Sequence, residues 1–363
     1  MRKFYTSPAL IDISITNRCN LSCDFCYASS GGTISKDELT LERLSVLFDE
    51  IDSMHVHRVS LTGGEPLIRE DFFEILEKFC SKNFAKVLNT NATLIDSIKA
   101  QKLSQYNLDR ICVSLDGSNT QNHEKIRGKG TFQKTIEGIL NLQRYKLPVS
   151  TLFTLHNANA YDLIDTIKLN EDLGIKYMSV MVVCPTGRAA KNNLILTPKV
   201  WYPIFNKLTD MKKNDQIKIN FKIVPPNESP IFWLYYYPLK SFDRLDDLKY
   251  WGQGFNPDFE REISCQAGIK ACSIAFNGDV YGCDLMMGLE NFKAGNINQS
   301  SLKDIWLGSD TFKQLRNLTM NELTGKCSQC NNQWCGGGCR SSAFNATGKL
   351  DGSDMACFFD LEE

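Results

Sequence analysis

The sequence predicts an α/β protein in which a partial (β/α)6 barrel of the TIM type precedes a cysteine-rich C-terminal region. Over about the first 210 residues, six short β-like runs are separated by segments with apolar residues at helical spacing. Strands that alternate with helices form a parallel sheet, and right-handed crossovers curl such a sheet into a barrel. Eight of the 14 cysteines lie between residues 265 and 357, which marks off the C-terminal region.

The barrel elements can be placed one by one. The predicted strands are residues 11–15, 59–62, 86–89, 111–115, 149–153 and 178–183. Amphipathic patterns predict helices over 41–54 and 132–145, and a further helix over 197–215 begins at Thr197-Pro198, a favourable N-cap and first-turn pair. We therefore expect a barrel domain over 1–215, a bridging segment over 216–264 and a cysteine-rich domain over 265–363.

The bridging segment is rich in proline and aromatic residues. Such rings fit two interpretations, because aromatic side chains dominate both packed interfaces and binding surfaces. They either pack between domains or form a wall for a peptide substrate. The residues concerned are Pro225, Pro226, Pro230, Phe232, Trp233, Tyr235, Tyr236, Tyr237, Trp251 and Phe255.

The overall composition excludes several classes of protein. Hydrophobic residues make up 42% and charged residues 23% of the chain, and the net charge is −1, so neither nucleic acid nor an anionic membrane is an expected partner. No stretch is long and apolar enough to span a bilayer, and the N-terminus lacks a signal-peptide pattern. We expect a cytoplasmic protein, in which 14 cysteines indicate metal or redox chemistry rather than disulfides.

Three cysteines, Cys19, Cys23 and Cys26, directly follow the first predicted strand. Loops that leave the carboxyl ends of barrel strands form the active site. Three thiolates can hold a [4Fe–4S] cluster and leave one iron open to another ligand. A zinc knuckle is the alternative, although structural zinc sites are closed and four-coordinate. The segment therefore predicts an iron–sulfur cluster with one open iron.

The pattern C-x3-C-x-aromatic-C, with Phe25 as the aromatic residue, resembles the radical S-adenosylmethionine (SAM) superfamily. Gly63-Gly64-Glu65-Pro66 after the second strand agrees, because a segment of this kind binds the methionine ammonium of SAM in that family. Glycines permit close backbone approach, and a carboxylate suits an ammonium. The resemblance also implies SAM contacts from residues at later strand ends and elsewhere: Tyr27, Asn91, Ser114, Asp116 and Arg127.

The C-terminal cysteines follow a second pattern. Apolar residues alternate on either side of Asn277-Gly278, a favoured tight turn, and predict a β-hairpin that ends at Cys283. A run with the spacing C-x2-C-x4-C-x3-C follows over 327–339, and Cys357 comes last. Eight thiols suit two closed four-cysteine iron–sulfur sites, and zinc in such sites remains an alternative.

This region resembles the SPASM domain, an extension of radical SAM enzymes that carries two auxiliary [4Fe–4S] clusters. The family usually has five residues where only four separate Cys330 from Cys335 here. With the SAM-binding cluster, the resemblance implies three clusters in all. The implied ligands are Cys265, Cys272, Cys283 and Cys339 for the first auxiliary cluster, and Cys327, Cys330, Cys335 and Cys357 for the second.

The resemblance also implies an activity. A radical SAM/SPASM enzyme cleaves SAM reductively, and the 5′-deoxyadenosyl radical abstracts hydrogen from a peptide or protein, giving a crosslink, a thioether or an oxidation. An external one-electron reductant of the flavodoxin or ferredoxin type is implied. Because only about ten residues precede the first strand, we expect no leader-peptide-binding domain within the chain, and a separate protein could supply one.

Three other activities remain open. Cys283-Asp284 resembles the cysteine–aspartate pair of anaerobic sulfatase maturases, which implies formylglycine formation with Asp284 as a base. Thr62 stands where those maturases commonly have glutamine, and the tail that begins at Cys339-Arg340 equally resembles tetrapyrrole-modifying members, so small-molecule chemistry is a second alternative. A non-catalytic electron carrier is the third, although such a carrier has no need to bind SAM.

Overall fold

The computed structural model describes residues 4–31, 37–224, 233–252, 261–332 and 334–359. The described strands, in chain order, are β1 (Leu10–Ser14), β2 (Arg58–Thr62), β3 (Ala85–Thr90), β4 (Arg110–Ser114), β5 (Val149–Leu155), β6 (Tyr177–Val182), β7 (Asn220–Val224), β8 (Ala271–Ile274), β9 (Asp279–Tyr281) and β10 (Gly295–Asn296). The described α-helices are α1 (Leu41–Ser53), α2 (Phe72–Cys80), α3 (Ser97–Leu103), α4 (Thr120–Arg127), α5 (Thr131–Arg144), α6 (Leu163–Asp172), α7 (Gly187–Lys191), α8 (Pro198–Lys213), α9 (Trp233–Lys240), α10 (Leu302–Gly308), α11 (Asp310–Asn317), α12 (Lys326–Gln329) and α13 (Arg340–Thr347).

The first compact unit comprises the described parts of Met1–Leu115, Asn119–Leu152 and Gln266–Asn317. Its strand order is β10-β9-β8-β1-β2-β3-β4-β5. Neighbouring strands from β1 to β5 pair in parallel, as the βα alternation predicts, and β8 pairs in parallel with the free edge of β1. Residues 266–317 therefore lie with the N-terminal strands and not with the rest of the cysteine-rich region.

Helix α1 illustrates how the sequence pattern produces this unit. The Thr40 hydroxyl caps its first turn by accepting a hydrogen bond from the Arg43 N–H. Its buried residues recur at helical spacing and form one apolar stripe: Leu44, Leu47, Phe48 and Ile51. Burial of such a stripe against the sheet, rather than helix propensity, holds the helix in place.

The predicted hairpin is confirmed. Strands β8 and β9 pair antiparallel, with Ile274 opposite Val280. Gly278 lies in the turn with φ of 89°, a left-handed conformation that favours glycine. Because β8 also pairs with β1, the hairpin extends the parallel sheet and places Cys283 at the end of a strand within the first unit.

The second compact unit comprises the described parts of Asp116–Ser118, Phe153–Cys265 and Leu318–Glu363. Its strand order is β5-β6-β7, and β6 and β7 are parallel. Strand β7 and helix α9 both fall in the predicted bridging segment, and a proline and several aromatic residues obscure the helical periodicity of α9. Helix α9 contains Pro238 and is buried on nearly every side.

The described aromatic residues of the bridging segment pack inside the second unit. Trp251 stacks on Phe205 with ring centroids 4.6 Å apart, and the Tyr235 hydroxyl donates a 2.5 Å hydrogen bond to the Ile223 carbonyl. Trp233 and Tyr237 are each 1% exposed. These contacts favour the packing interpretation for the four rings; Pro225, Pro226, Pro230, Phe232 and Phe255 lie outside the described residues.

Among the helices that the structure describes, none has the length and apolar character needed to cross a membrane.

Candidate iron–sulfur and SAM site

The cysteine loop after β1 belongs to the first unit. Cys23 is buried, while Cys19 and Cys26 are half-buried, and none of the three forms a disulfide. The Leu21 N–H donates to the Cys19 sulfur at 3.4 Å, and burial raises the pKa of Cys19 to about 11. A bound iron would offset this cost of ionisation, because coordination deprotonates a thiol.

Within the described residues, no three His, Cys, Asp or Glu side chains converge on the position of one metal ion. In a four-iron cluster each cysteine sulfur binds a different iron, so the thiols surround the cluster rather than meet at a point. Three thiols spaced along one short loop are the donor set that such a cluster requires.

The two glycines of Gly63-Gly64-Glu65-Pro66 lie against the chain that leads into this loop. The Gly64 N–H donates to the Thr16 carbonyl at 2.8 Å. A Cβ atom on Gly63 would lie 2.5 Å from the Thr16 carbonyl oxygen, and one on Gly64 would lie 2.0 Å from the Arg18 carbonyl oxygen. Close backbone packing beside Cys19, in addition to ligand approach, therefore requires glycine here.

The change Gly64→Ala is expected to remove about four irons per chain, because the added methyl group must displace the backbone of Arg18 and with it Cys19. Iron analysis after anaerobic reconstitution measures the loss. Gly308→Ala is the matched control, since its Cβ meets nothing within 4 Å and its backbone is not left-handed. Native iron content in Gly64→Ala would show that the close approach does not position the cysteine loop.

Glu65 is 1% exposed and anchors the end of β3. Its carboxylate accepts hydrogen bonds from the Thr90 hydroxyl at 2.8 Å and the Asn91 N–H at 2.7 Å. A third bond comes from the Leu67 N–H at 3.3 Å, in the turn that Pro66 begins. Burial raises the pKa of Glu65 to about 7. A cationic ligand would stabilise the ionised form, which matches the ammonium contact that the family resemblance implies.

Glu65→Ala is expected to weaken SAM binding by on the order of 1.5 to 3 kcal/mol, the range for a hydrogen bond to a charged group, without loss of iron. Isothermal titration calorimetry on the reconstituted enzyme measures the affinity. Thr90→Val is the control, because it removes one hydrogen bond to Glu65 but keeps the carboxylate. An unchanged affinity in Glu65→Ala would remove this residue from the SAM site.

Asn91 links the end of β3 to the cysteine loop. Its side-chain amide donates to Asn20 at 3.0 Å, and Asn20 in turn donates to Thr93 at 2.8 Å. Thr93 closes the ring through a 2.6 Å bond from its hydroxyl to the Asn91 oxygen. This ring holds the loop between Cys19 and Cys23 against the strand end, so Asn91 has a structural role beside any contact with SAM.

Arg127 ends α4 and is 7% exposed. One of its guanidinium nitrogens lies 3.7 Å from the Cys23 sulfur, and the guanidinium lies 5.1 Å from the centre of the Phe25 ring. The positive charge of Arg127 also acts to lower the pKa of Glu65, although burial dominates there. Arg127, Phe25 and Glu65 thus lie around the same loop.

Ser114 and Asp116 follow the fourth strand but belong to different units. Ser114 is the last residue of β4 in the first unit. Asp116, in the second unit, is fully buried and accepts a 2.5 Å hydrogen bond from the Thr154 N–H of β5. Its described contacts are therefore those of a residue that ties a loop to a strand.

Tyr27 and Asp284 meet within the first unit, although 257 positions separate them in the chain. Their side chains are hydrogen-bonded, and Tyr27 also bonds to Thr62. Burial raises the pKa of Asp284 to about 7, and the charge of Asp12 on β1 adds to the rise. Tyr27 directly follows Cys26, so this contact places a carboxyl group with a near-neutral pKa beside the cysteine loop.

Four of the C-terminal cysteines line one cavity of the second unit, whose empty volume is about 350 Å³. They are the four thiols implied for the second auxiliary cluster: Cys327, Cys330, Cys335 and Cys357. Burial raises the pKa of Cys335 to about 11 and raises that of Cys357 as well. The four-residue spacing before Cys335 thus still brings its side chain to the shared cavity.

The polar groups at this cavity fit an iron–sulfur cluster. Asn332 is fully buried in the cavity wall, and its side-chain nitrogen has no hydrogen-bond partner in the part of the chain that the structure describes. A buried donor of this kind costs free energy unless it finds an acceptor. Sulfide or thiolate sulfur of a cluster would supply one.

The ligands implied for the first auxiliary cluster fall in both units. Cys272 lies on β8 and Cys283 follows β9 in the first unit, and burial raises the pKa of Cys272. Cys265 and Cys339 belong to the second unit, where the Cys339 N–H donates to Asp354 at 2.8 Å and its sulfur caps α13.

Comparison with known proteins agrees with these features. The model of the Radical SAM superfamily matches residues 13–170, and that of the SPASM iron-sulfur cluster-binding domain matches residues 265–331. An AdoMet-dependent heme synthase from Methanosarcina barkeri is 28% identical over 97% of both chains. The mycofactocin maturase MftC from Mycolicibacterium smegmatis is 27% identical over 97% of this chain and 83% of its own.

A solved structure shares the fold. Streptococcus suis SuiB bound to S-adenosylmethionine superposes with a TM-score of 0.76 at 17% identity, over 97% of this chain and 77% of that chain. The Radical SAM model covers the cysteine loop and the glycine-rich segment packed against it, and the SPASM model covers the hairpin and the first five C-terminal cysteines. This chain is therefore an enzyme of the radical SAM superfamily with a C-terminal SPASM domain.

Proposed function

We propose that this enzyme oxidises a peptide or protein substrate, with Asp284 as the base that accepts the substrate proton. The observation that carries the proposal is the contact of Asp284 with Tyr27 next to the cysteine loop. A base must lie near the reacting atoms and have a pKa near the working pH; the place of Asp284 beside the cysteine loop and its pKa of about 7 support this role.

Three [4Fe–4S] clusters and SAM form the proposed cofactor set. When bound, they supply the electron that cleaves SAM, the radical that abstracts hydrogen from the substrate and the acceptors for the electron released on oxidation. Cys19, Cys23 and Cys26 would hold the first cluster, with Glu65, Asn91 and Arg127 around it. The eight C-terminal cysteines would hold the other two, in the ligand sets given above.

The protein residues around Asp284 adjust it to this role. Asp12 disfavours ionisation of its neighbour, since two like charges in a buried site repel. Tyr27 favours the ionised form by donating a hydrogen bond. The balance keeps Asp284 able both to take and to release a proton, which a base needs in every turnover.

The peptide substrate is supported by the similarity to the mycofactocin maturase, which extends over 97% of this chain. The two half-buried carboxyl groups of Asp12 and Asp284 add a physical reason. A neutral or cationic peptide segment is tolerated beside them, whereas a substrate with several carboxylates is repelled. We propose a cytoplasmic setting with a flavodoxin- or ferredoxin-type reductant, and a separate leader-binding protein where the peptide requires one.

A tetrapyrrole substrate is the second candidate. The similarity to the heme synthase of Methanosarcina barkeri, at 28% identity over 97% of both chains, favours it. Both candidates share the same cofactors and the same need for a base, so the residues that would hold the cofactors do not separate them. The substrate itself must be tested.

The test is an anaerobic assay of the reconstituted enzyme with SAM and dithionite. Short peptides encoded beside the gene form one arm, and an iron-bearing, carboxylate-bearing tetrapyrrole precursor of heme forms the other. We expect a mass change in a peptide together with 5′-deoxyadenosine. Conversion of the tetrapyrrole without change in any peptide would overturn the peptide assignment in favour of the second candidate.

A further inference from the structure

The cavity lined by the four cysteines of the second unit also contains hydrogen-bond donors that are not among the proposed cluster ligands. The Tyr237 hydroxyl lies 3.5 Å from the Cys330 sulfur, and the Asn332 backbone N–H donates to the same sulfur at 3.4 Å. Tyr237 is 1% exposed, so its hydroxyl has little access to water. If Cys330 is an iron-bound thiolate, it carries no proton, and Tyr237 must be the donor of the pair.

Asn332 offers a further donor. Its side-chain oxygen accepts a 3.1 Å hydrogen bond from the Trp334 N–H, which sets the orientation of the amide. The side-chain nitrogen is fully buried and has no acceptor among the described residues, and the residue lines the same cavity as Cys330. A cluster in the cavity presents sulfur acceptors to this nitrogen.

The cationic side chains at the cavity act in the same direction as these hydrogen-bond donors, because they also favour negative charge on the sulfurs. Arg261 lines the wall and donates to the carbonyls of Cys335 at 3.1 Å and Cys330 at 3.4 Å. Lys326 also lines the wall and donates to the Phe359 carbonyl at 3.2 Å.

Asp354 is the anionic residue of this wall. Its carboxylate accepts hydrogen bonds from the N–H groups of Cys339 and Ala356 and from the Ser342 hydroxyl. Apart from the cysteines, the charged side chains of the wall are therefore two cations and one anion.

Reduction adds negative charge to a cluster and its sulfur ligands. Donors and cations that face the sulfurs stabilise the reduced form more than the oxidised form and raise the reduction potential. We propose that Tyr237 and Asn332 are positioning residues that raise the reduction potential of the second auxiliary cluster. The inference rests on the cluster assignment in the proposed function.

The experiment is a redox titration of the reconstituted enzyme followed by electron paramagnetic resonance. Tyr237→Phe keeps the ring and removes the hydroxyl. At a fixed potential we expect the reduced-to-oxidised ratio of one cluster to fall about tenfold, which corresponds to about 59 mV for a one-electron couple. Asn332→Ala should shift the same signal in the same direction.

Tyr235→Phe is the matched control, because this tyrosine lies on the same helix but bonds to the Ile223 carbonyl rather than to a cysteine. It should leave every potential unchanged. An unchanged potential in Tyr237→Phe or Asn332→Ala overturns the assignment for that residue, and so does an equal shift in the control. Loss of four irons in Tyr237→Phe also overturns it, since the hydroxyl would then retain the cluster rather than adjust it.

Iron content of the native enzyme separates this inference from the proposed function. A native chain with no iron in the second unit would overturn the cluster assignment itself. If the native chain holds three clusters and neither Tyr237→Phe nor Asn332→Ala shifts a reduction potential, only the role of Tyr237 and Asn332 is overturned.

Discussion

Replacing Cys19, Cys23 and Cys26 together with alanine is expected to lower the iron content from about twelve to about eight atoms per chain, since each [4Fe–4S] cluster carries four. The same variant should form no 5′-deoxyadenosine from SAM and dithionite. The physical reason is that these three thiols are the entire proposed ligand set of the cluster with the open iron. Iron analysis and chromatography of the reaction mixture measure the two quantities.

The control for this experiment replaces Cys80, Cys112 and Cys184, which lie outside both cysteine clusters. The Cys112 sulfur contacts the Ser150 hydroxyl at 3.3 Å, and Cys184 is buried after β6. Alanine at these positions should leave both iron and SAM cleavage near native levels. If instead the first triple variant retains twelve irons, the cysteines at 19, 23 and 26 are not cluster ligands.

Asp284→Asn is expected to separate SAM cleavage from product formation. The change keeps the shape of the side chain and removes its basic oxygen, so 5′-deoxyadenosine should still form while product falls by about 100-fold or more, the range for loss of a general base. The measurement compares both species by mass spectrometry, with the substrate that the assay above identifies. Iron content should remain native, because the neighbouring Cys283 is unchanged.

Asp310→Asn is the matched control for this prediction. Asp310 lies in the same unit, but its side chain is 96% exposed and pairs with Lys313 at the surface, so its replacement should not affect either species. Product formation at the native rate in Asp284→Asn, with the clusters intact, would remove Asp284 from the reaction. Loss of SAM cleavage in that variant would instead assign it to the SAM site.

Local patterns in the sequence predicted the main architecture. The alternation of strands and helices reflects the periodicities of two and 3.6 residues, and each element appears within one or two residues of its predicted place. The three-cysteine loop, the glycine-rich segment and the hairpin turn were equally predictable, because each lies within a few consecutive residues. Helix α9 was not, since Pro238 and consecutive aromatic residues interrupt the pattern, whereas the apolar alternation of β7 is present in the sequence over 219–223.

The role of the glycines illustrates the limit of such patterns. Sequence reasoning expected Gly63 and Gly64 to admit a ligand. In the structure, their lack of a Cβ atom also leaves space for the carbonyl groups of Thr16 and Arg18, which lie about 46 positions earlier in the chain. No local pattern indicates which backbone segment approaches a glycine, because that depends on how β1 and β2 pair.

By itself, the sequence determined the cofactor chemistry of this protein: the number, type and spacing of its thiols and the segment that follows β2. Only the tertiary structure decided what surrounds those groups. The pairing of β8 with β1 joins a hairpin near residue 280 to the first strand, and Asp284 thereby meets Tyr27 and the charge of Asp12. Tyr237 likewise meets Cys330 across 93 positions. Such contacts depend on strand register and on the packing of distant segments, which a residue pattern within one segment does not contain.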